Sequence, residues 1–175
     1  YVPNQILTNK DISEKVDTSD EWIKSRTGIS QRRISGLDED VSQMGYKAAL
    51  AAIKMTKWDI DSIDLIILAT STPNDLFGSA PSIQEKLGAK NAVAFDLTAA
   101  CSGFLFAAIT ASQFLKTGSY KRAIVIGSDQ LSSYVDWDDR RSCILFGDGA
   151  GAIAIEATNE FDNLIGFNMR TDGQR

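Results

Sequence analysis

The chain has 175 residues, 43% hydrophobic and 23% charged, which is enough for one ordinary globular core. A net charge of −5 supplies no global basic field, so composition argues against nucleic acid or an anionic membrane surface as partners. Two cysteines make no disulfide framework and point to a reducing compartment, and the absence of histidine excludes a Ser-His or Cys-His pair and the usual zinc set within these residues.

No apolar run approaches the ~20 residues of a membrane span, and no secretory leader opens the chain, so a soluble protein is expected. The opening Tyr1-Val-Pro lacks Met and reads as part of a longer protein. Asp17-Thr-Ser-Asp-Glu21-Trp22 predicts a helix start, with Thr18 as N-cap and Glu21 closing a capping box. Trp22 and Arg26 are four apart and share one helix face. Two readings of that pair are open: an indole and a guanidinium gripping a flat base and its phosphates, or a half-buried Trp beside a solvated Arg. The local pattern alone favours the second.

Residues 42–57 predict a helix with Met44, Ala48, Ala51, Ala52 and Met55 on one face. The continuous apolar run 65–69 predicts a strand covered on both sides. Residues 79–87 predict a short helix with Pro81 in its first turn and Gly88 after its end. A strand over 92–95 leads into Asp96-Leu-Thr-Ala-Ala-Cys101-Ser-Gly-Phe104. The apolar stretch 104–115 that follows predicts a buried helix stopped near Gly118.

Cys101 therefore falls at a strand-to-helix turn, where helix N–H groups and the dipole favour an anion. A thiolate there is a nucleophile, and Ala99, Ala100, Ser102 and Gly103 are small enough to let an acyl group approach. A buried cysteine serving as a small hydrophobe is the alternative, and the local pattern does not choose between them.

Further strands are predicted over 123–127, 151–156 and 164–169. Between them lies the polar loop Asp138-Asp-Arg140-Arg141-Ser142, readable as a phosphate-binding loop or simply a solvated one. Phe146-Gly-Asp-Gly-Ala-Gly-Ala152 is followed by strand alternation rather than a helix. It is therefore a tight turn with close backbone approach, not a dinucleotide fingerprint. Cys143, beside an apolar run, reads as structural. Apolar strands separated by helices predict an α/β layered domain with a mostly parallel mixed sheet flanked by helices.

Three strings in this order, Thr18-Ser-Asp-Glu-Trp-Ile-Lys-Ser-Arg-Thr-Gly-Ile29, Asp96-Leu-Thr-Ala-Ala-Cys101-Ser-Gly-Phe104 and Phe146-Gly-Asp-Gly-Ala-Gly-Ala152, resemble the β-ketoacyl-acyl-carrier-protein synthase III family of thiolase-like condensing enzymes. The resemblance runs from Tyr1 to Arg175. The string from Ser71 to Pro81 is similar to cyanobacterial and plastid members, which implies bacterial cytoplasm or plastid stroma.

The resemblance implies the N-terminal half of a thiolase-like fold over residues 1–175, with the catalytic His and Asn in a C-terminal half outside this chain. It implies Cys101 as the acyl-accepting nucleophile. Thr18, Trp22, Arg26 and Arg140 are implied to line the coenzyme A site, and Leu76 and Phe77 to close the acyl pocket of a homodimer partner. The implied substrates are acetyl-coenzyme A or another short acyl-coenzyme A and malonyl-acyl-carrier protein, with no cofactor, metal, nucleic acid or membrane involved. Arg141 departs from the family, whose members often carry a small residue there; it is expected either to strengthen phosphate binding or to narrow the entrance. Another thiolase-fold condensing enzyme, or a non-catalytic dimerisation and coenzyme A-binding piece, remain the alternatives.

Overall fold

The computed structural model describes residues 1–159 and 164–174. The first half forms β1 (Gln5–Thr8), α1 (Asn9–Ser13), α2 (Asp20–Thr27), β2 (Gln31–Ile34), α3 (Val41–Thr56) and β3 (Leu65–Ala69). It continues as α4 (Ala80–Leu87), β4 (Val93–Leu97), α5 (Gly103–Lys116), β5 (Arg122–Gln130) and β6 (Asp148–Glu156).

The central sheet runs β4-β3-β5-β6; β3 is parallel to both β4 and β5, and β6 is antiparallel to β5. This is the mostly parallel mixed sheet that the sequence predicts. Every residue of β3 is buried because side chains alternate between two covered faces. Ile66 and Leu68, with Ile124 and Ile126 of β5, pack on Val41, Ala49 and Ile53 of α3 and Ile83 and Leu87 of α4. Leu65, Ile67 and Val125 face the other way, onto Ala107, Ala111 and Leu115 of α5. Each fully buried Ile or Leu here stabilises the fold by about 1.5–3 kcal/mol relative to exposure.

The predicted helices form, with differences in which face is buried. Asp40 caps α3 by accepting from the Gln43 N–H at 2.7 Å. Its core face is Val41, Met44, Gly45, Ala48, Ala49 and Ile53, whereas Ala51 and Met55 are exposed. Gly45 sets this rotation: a Cβ there would lie 2.7 Å from Ile83 Cδ1 and 3.4 Å from Ile126 Cγ2, so α3 turns its smallest residue to the point of closest approach. The short helix α4 has Pro81 in its first turn and Gly88 in the left-handed region after its end, as expected.

Helix α5 differs more. It is apolar all round, but only Gly103, Ala107, Ala111, Ser112 and Leu115 are buried. Leu105 is 65% exposed. The sheet covers one side of the helix, and the other side borders an open groove of about 570 Å³ lined by Leu105, Ile109, Ile153, Ile155, Phe167 and Met169. The strand expected over 164–169 is not formed. These residues run along the groove, and the only ladder of β6 among the described residues goes to β5. No helix among the described residues is long and apolar enough to cross a membrane.

A second, two-stranded sheet pairs β1 antiparallel with β2, Leu7 opposite Arg32. Its sequence carries no apolar alternation because the buried residue of β2 is an arginine, Arg32.

Candidate active site

β4 ends at Leu97, and the chain reaches α5 through a single 3-10 turn, Ala100–Ser102. Ala100 has φ +47°, a left-handed conformation that costs a residue bearing a Cβ roughly 1–2 kcal/mol. The residues that follow the turn are closely packed. A Cβ on Gly103 would lie 3.4 Å from Ala69 Cβ, and one on Gly127 would lie 3.2 Å from the Phe104 ring. The end of β3 and Gly127 within β5 thus press against the first turn of α5. Cys101 stands exposed on this strained turn, immediately before the helix. The core-cysteine reading belongs instead to Cys143, which is fully buried and whose thiol is pushed up by that burial.

The second cluster forms around α2. Ser19, not Thr18, is its N-cap: the Ser19 hydroxyl accepts from the Trp22 N–H at 3.1 Å. The box expected of Thr18 and Glu21 is not formed; the reciprocal arrangement occurs at Thr8 and Asp11, where Thr8 caps α1. Thr18 lies one residue outside the helix, and its hydroxyl oxygen is buried with no hydrogen-bond partner among the described residues.

The Arg26 guanidinium carbon sits 4.1 Å from the Trp22 ring centroid, and that of Arg140 sits 5.0 Å from it. Arg140 is held there by donating to the Asp17 carbonyl at 2.8 Å, with the Asp17 carboxylate 3.6 Å away. Trp22, Arg26 and Arg140 are therefore one cation–aromatic group beside Thr18. Arg141 points elsewhere and forks onto Asp139 at 2.9 Å. That pairing pulls the Asp139 carboxyl below its usual range. Among the described residues no hydrogen bond, ion pair or ring contact joins this group to Cys101.

The loop between β3 and α4 carries Leu76 and Phe77, 100% and 91% exposed. The loop is anchored at both ends although these tips are bare. Asp129 accepts from the Ser71 N–H at 2.7 Å, and Asp96 accepts from the N–H groups of Ser79 at 2.8 Å and Ala80 at 2.7 Å. Asp96 lies on β4, so the Leu76–Phe77 loop and the Cys101 turn hang from the same strand.

Over residues 95–173 the chain matches the family model for 3-oxoacyl-[acyl-carrier-protein (ACP)] synthase III. A β-ketoacyl-[acyl-carrier-protein] synthase III from Prochlorococcus marinus (strain MIT 9515) is 87% identical over all 175 residues. The chain is similar throughout its length to β-ketoacyl-acyl-carrier-protein synthase III. It spans about half the length of the curated relatives it matches, 52% of the Prochlorococcus protein. The structure of synthase III from Aquifex aeolicus VF5 superposes with a TM-score of 0.88 at 46% identity, covering 91% of this chain and 52% of that one. The priming β-ketosynthase of the R1128 polyketide pathway also gives 0.88, at 35% identity, covering 91% and 48%. The layered α/β arrangement is accordingly that of the thiolase-like synthase III fold.

Three residues of the chain carry more of the site's architecture than the sequence signalled. Asp148, inside the glycine-rich string, accepts from the N–H groups of Ser35 at 2.7 Å and Ser132 at 2.9 Å and from both hydroxyls. Its neighbour Gly147 fits the predicted close approach: a Cβ there would lie 2.9 Å from the Arg33 carbonyl oxygen. Asp96 stands inside the cysteine string without any spacing that signals a cap for a helix 16 residues away. Arg32 carried no signal at all.

Proposed function

We propose that the protein containing this chain is a β-ketoacyl-acyl-carrier-protein synthase III that condenses a short acyl group with malonyl-acyl-carrier protein to start fatty acid synthesis. The observation that carries the proposal is the exposed Cys101 on a strained turn heading α5, in a chain 87% identical to a relative of that name. A strained, exposed nucleophile at a helix N-terminus suits acyl transfer: the thiolate attacks, and backbone N–H groups receive the oxyanion.

Trp22, Arg26 and Arg140 hold coenzyme A, the indole and guanidinium planes taking the adenine and the cationic charge the phosphates. Thr18 lines the same edge of the site. Cys101 Sγ forms a bond to the acyl carbonyl carbon as the thioester C–S bond breaks, and coenzyme A leaves as the thiol after taking a proton. Malonyl-acyl-carrier protein then loses carbon dioxide. The freed electron pair forms an enolate that attacks the acyl-cysteine, expels the Cys101 thiolate and yields the β-ketoacyl product. The imidazole that steadies the enolate comes from outside these 175 residues, since the sequence has no histidine, and the resemblance places the amide beside it. Coenzyme A enters as the substrate thioester, and the reaction requires no metal or redox group. Leu76 and Phe77 meet a second subunit, and the enzyme works in bacterial cytoplasm or plastid stroma.

The complete enzyme incubated with acetyl-coenzyme A should gain one acetyl mass on the Cys101 peptide. Cys101→Ser should abolish most transfer, because an alkoxide is hard to form without a dedicated base. Acetylation at Cys143 in place of Cys101 would defeat the assignment.

A further inference from the structure

Arg32 is 4% exposed, yet among the described residues it has no ion pair. Burying a cation without a carboxylate is costly, and a well-packed apolar residue of that volume would serve stability better. The guanidinium spends its donors on two neutral acceptors that belong to different parts of the chain. Nη1 donates to Asn9 Oδ1 at 2.5 Å; Nε donates to the Ile144 carbonyl at 3.1 Å, and Nη2 to that same oxygen.

Each acceptor leads to one side of the cation–aromatic group. Asn9 Nδ2 donates to Asp20 Oδ1 at 2.9 Å and to the Ile29 carbonyl at 2.8 Å, so one amide grips α2 at its first residue and just past its end. That helix carries Trp22 and Arg26. Ile144 directly follows the turn that begins at Asp139 and closes where the Cys143 N–H donates to the Asp139 carbonyl at 3.1 Å; this turn carries Arg140. Trp22 packs against the buried cluster to which Ile144 and Cys143 belong. Only a planar fork with several donors reaches both acceptors at once.

We infer that Arg32 is the positioning residue of the coenzyme A clamp, fixing the distance between the helix bearing Trp22 and Arg26 and the turn bearing Arg140. The inference rests on the reading that these three residues bind coenzyme A. Arg32 is sealed behind them and touches no substrate. It acts by holding in one fixed relation two surfaces that share no covalent path shorter than most of the chain.

The test uses the complete enzyme, with steady-state kinetics for Arg32→Met, Arg32→Lys, Arg140→Ala and the double variant Arg32→Met/Arg140→Ala. Arg32→Met should raise KM for acetyl-coenzyme A about tenfold, the loss of roughly one charge-assisted contact. kcat and KM for malonyl-acyl-carrier protein should stay within about twofold of wild type. In the Arg140→Ala background the Arg32→Met effect should shrink to within about twofold, since the group it positions is gone. Arg32→Lys keeps the charge but reaches one acceptor, and should show the same split in smaller measure; it carries the test if Arg32→Met does not fold. A fall in kcat, an equal rise in both KM values, or an undiminished effect in the Arg140→Ala background assigns Arg32 to general structure and overturns the inference. Arg140→Ala with unchanged KM for acetyl-coenzyme A overturns the coenzyme A reading and the inference with it. A strong Arg140→Ala effect beside inert Arg32 variants overturns the inference alone.

Discussion

Asp96, on the strand that leads to the Cys101 turn, accepts from the Ala80 N–H at 2.7 Å and the Ser79 N–H at 2.8 Å, so its carboxylate ties that strand to the end of the loop that carries Phe77. Gly78, at φ +91°, makes the wrap possible: a Cβ there would lie 3.3 Å from the carboxylate. Asp96→Ala should destabilise by about 1–2 kcal/mol, the loss of a charged cap at a helix start. Asp96→Asn, which keeps one acceptor oxygen, should cost less. Urea unfolding of the three proteins checks the order; equal stabilities would mean the cap contributes nothing.

Glycine substitutions separate two kinds of close contact. A Cβ on Gly45 would come within 2.7 Å of Ile83 Cδ1, the far end of a flexible side chain, whereas on Gly147 it would meet the Arg33 backbone oxygen at 2.9 Å. Gly45→Ala also gains about 0.5–1 kcal/mol of helix propensity. It should therefore be near neutral, while Gly147→Ala should cost roughly 1–3 kcal/mol because two backbones must separate. The midpoints of thermal unfolding decide between them, and a reversed order would sink the argument.

Much of this architecture is written locally, and what is not has a physical reason. The all-apolar run of β3 and the Pro81–Gly88 brackets of α4 declare themselves because their causes are near in sequence. β2 hides because its inward residue is Arg32, which inverts the usual apolar signal. The cap of α2 moved from Thr18 to Ser19 because two hydroxyls stand side by side and only packing chooses between them. The cysteine turn is visible in its small residues, but the strain at Ala100 is not, since alanine gives no hint of a positive φ. Arg140 shows as a loop cation; that it reaches Trp22 is a property of the fold alone.

Acid sensitivity centres on Glu39. Its carboxyl is held at about 2, below the usual 4.5, by the Tyr1 hydroxyl first, then by Lys47 at 2.9 Å and the Gly36 N–H at 3.3 Å. A depressed carboxylate contributes stability that is complete above its unfolded value and is lost as pH falls through the folded one. Glu39→Gln should thus be less stable than wild type above about pH 5, with the gap closing as pH falls toward 2. Unfolding free energies across that range check it, and a gap independent of pH would be the contrary result.

The two cysteines should differ in reactivity in the folded protein. Cys101 is exposed, whereas Cys143 is fully buried and its thiol is pushed up by desolvation. Brief treatment with iodoacetamide near pH 8 should alkylate the Cys101 peptide and leave the Cys143 peptide unmodified until denaturant is added. Rapid labelling at Cys143 under native conditions would show that the cluster around Arg32 and Trp22 opens readily.

The outer face of α5 leads to the last expectation. Leu105 is 65% exposed, and Ile153 and Phe167 are 39% and 48% exposed on the same groove. An apolar surface of this kind invites association when nothing covers it. Residues 1–175 expressed alone should therefore self-associate. Leu105→Glu combined with Ile153→Lys should shift the population toward monomer with little change in the unfolding midpoint, because both side chains already face solvent. The isolated piece should also make no β-ketoacyl product from acetyl-coenzyme A and malonyl-acyl-carrier protein, since it holds no imidazole for the enolate. Acetylation of Cys101 can persist, because the strained turn and the helix start are local to it. Sedimentation equilibrium, with product assays on the same sample, checks each part. A homogeneous monomer turning over like the complete enzyme would show that neither the apolar face nor the missing imidazole matters.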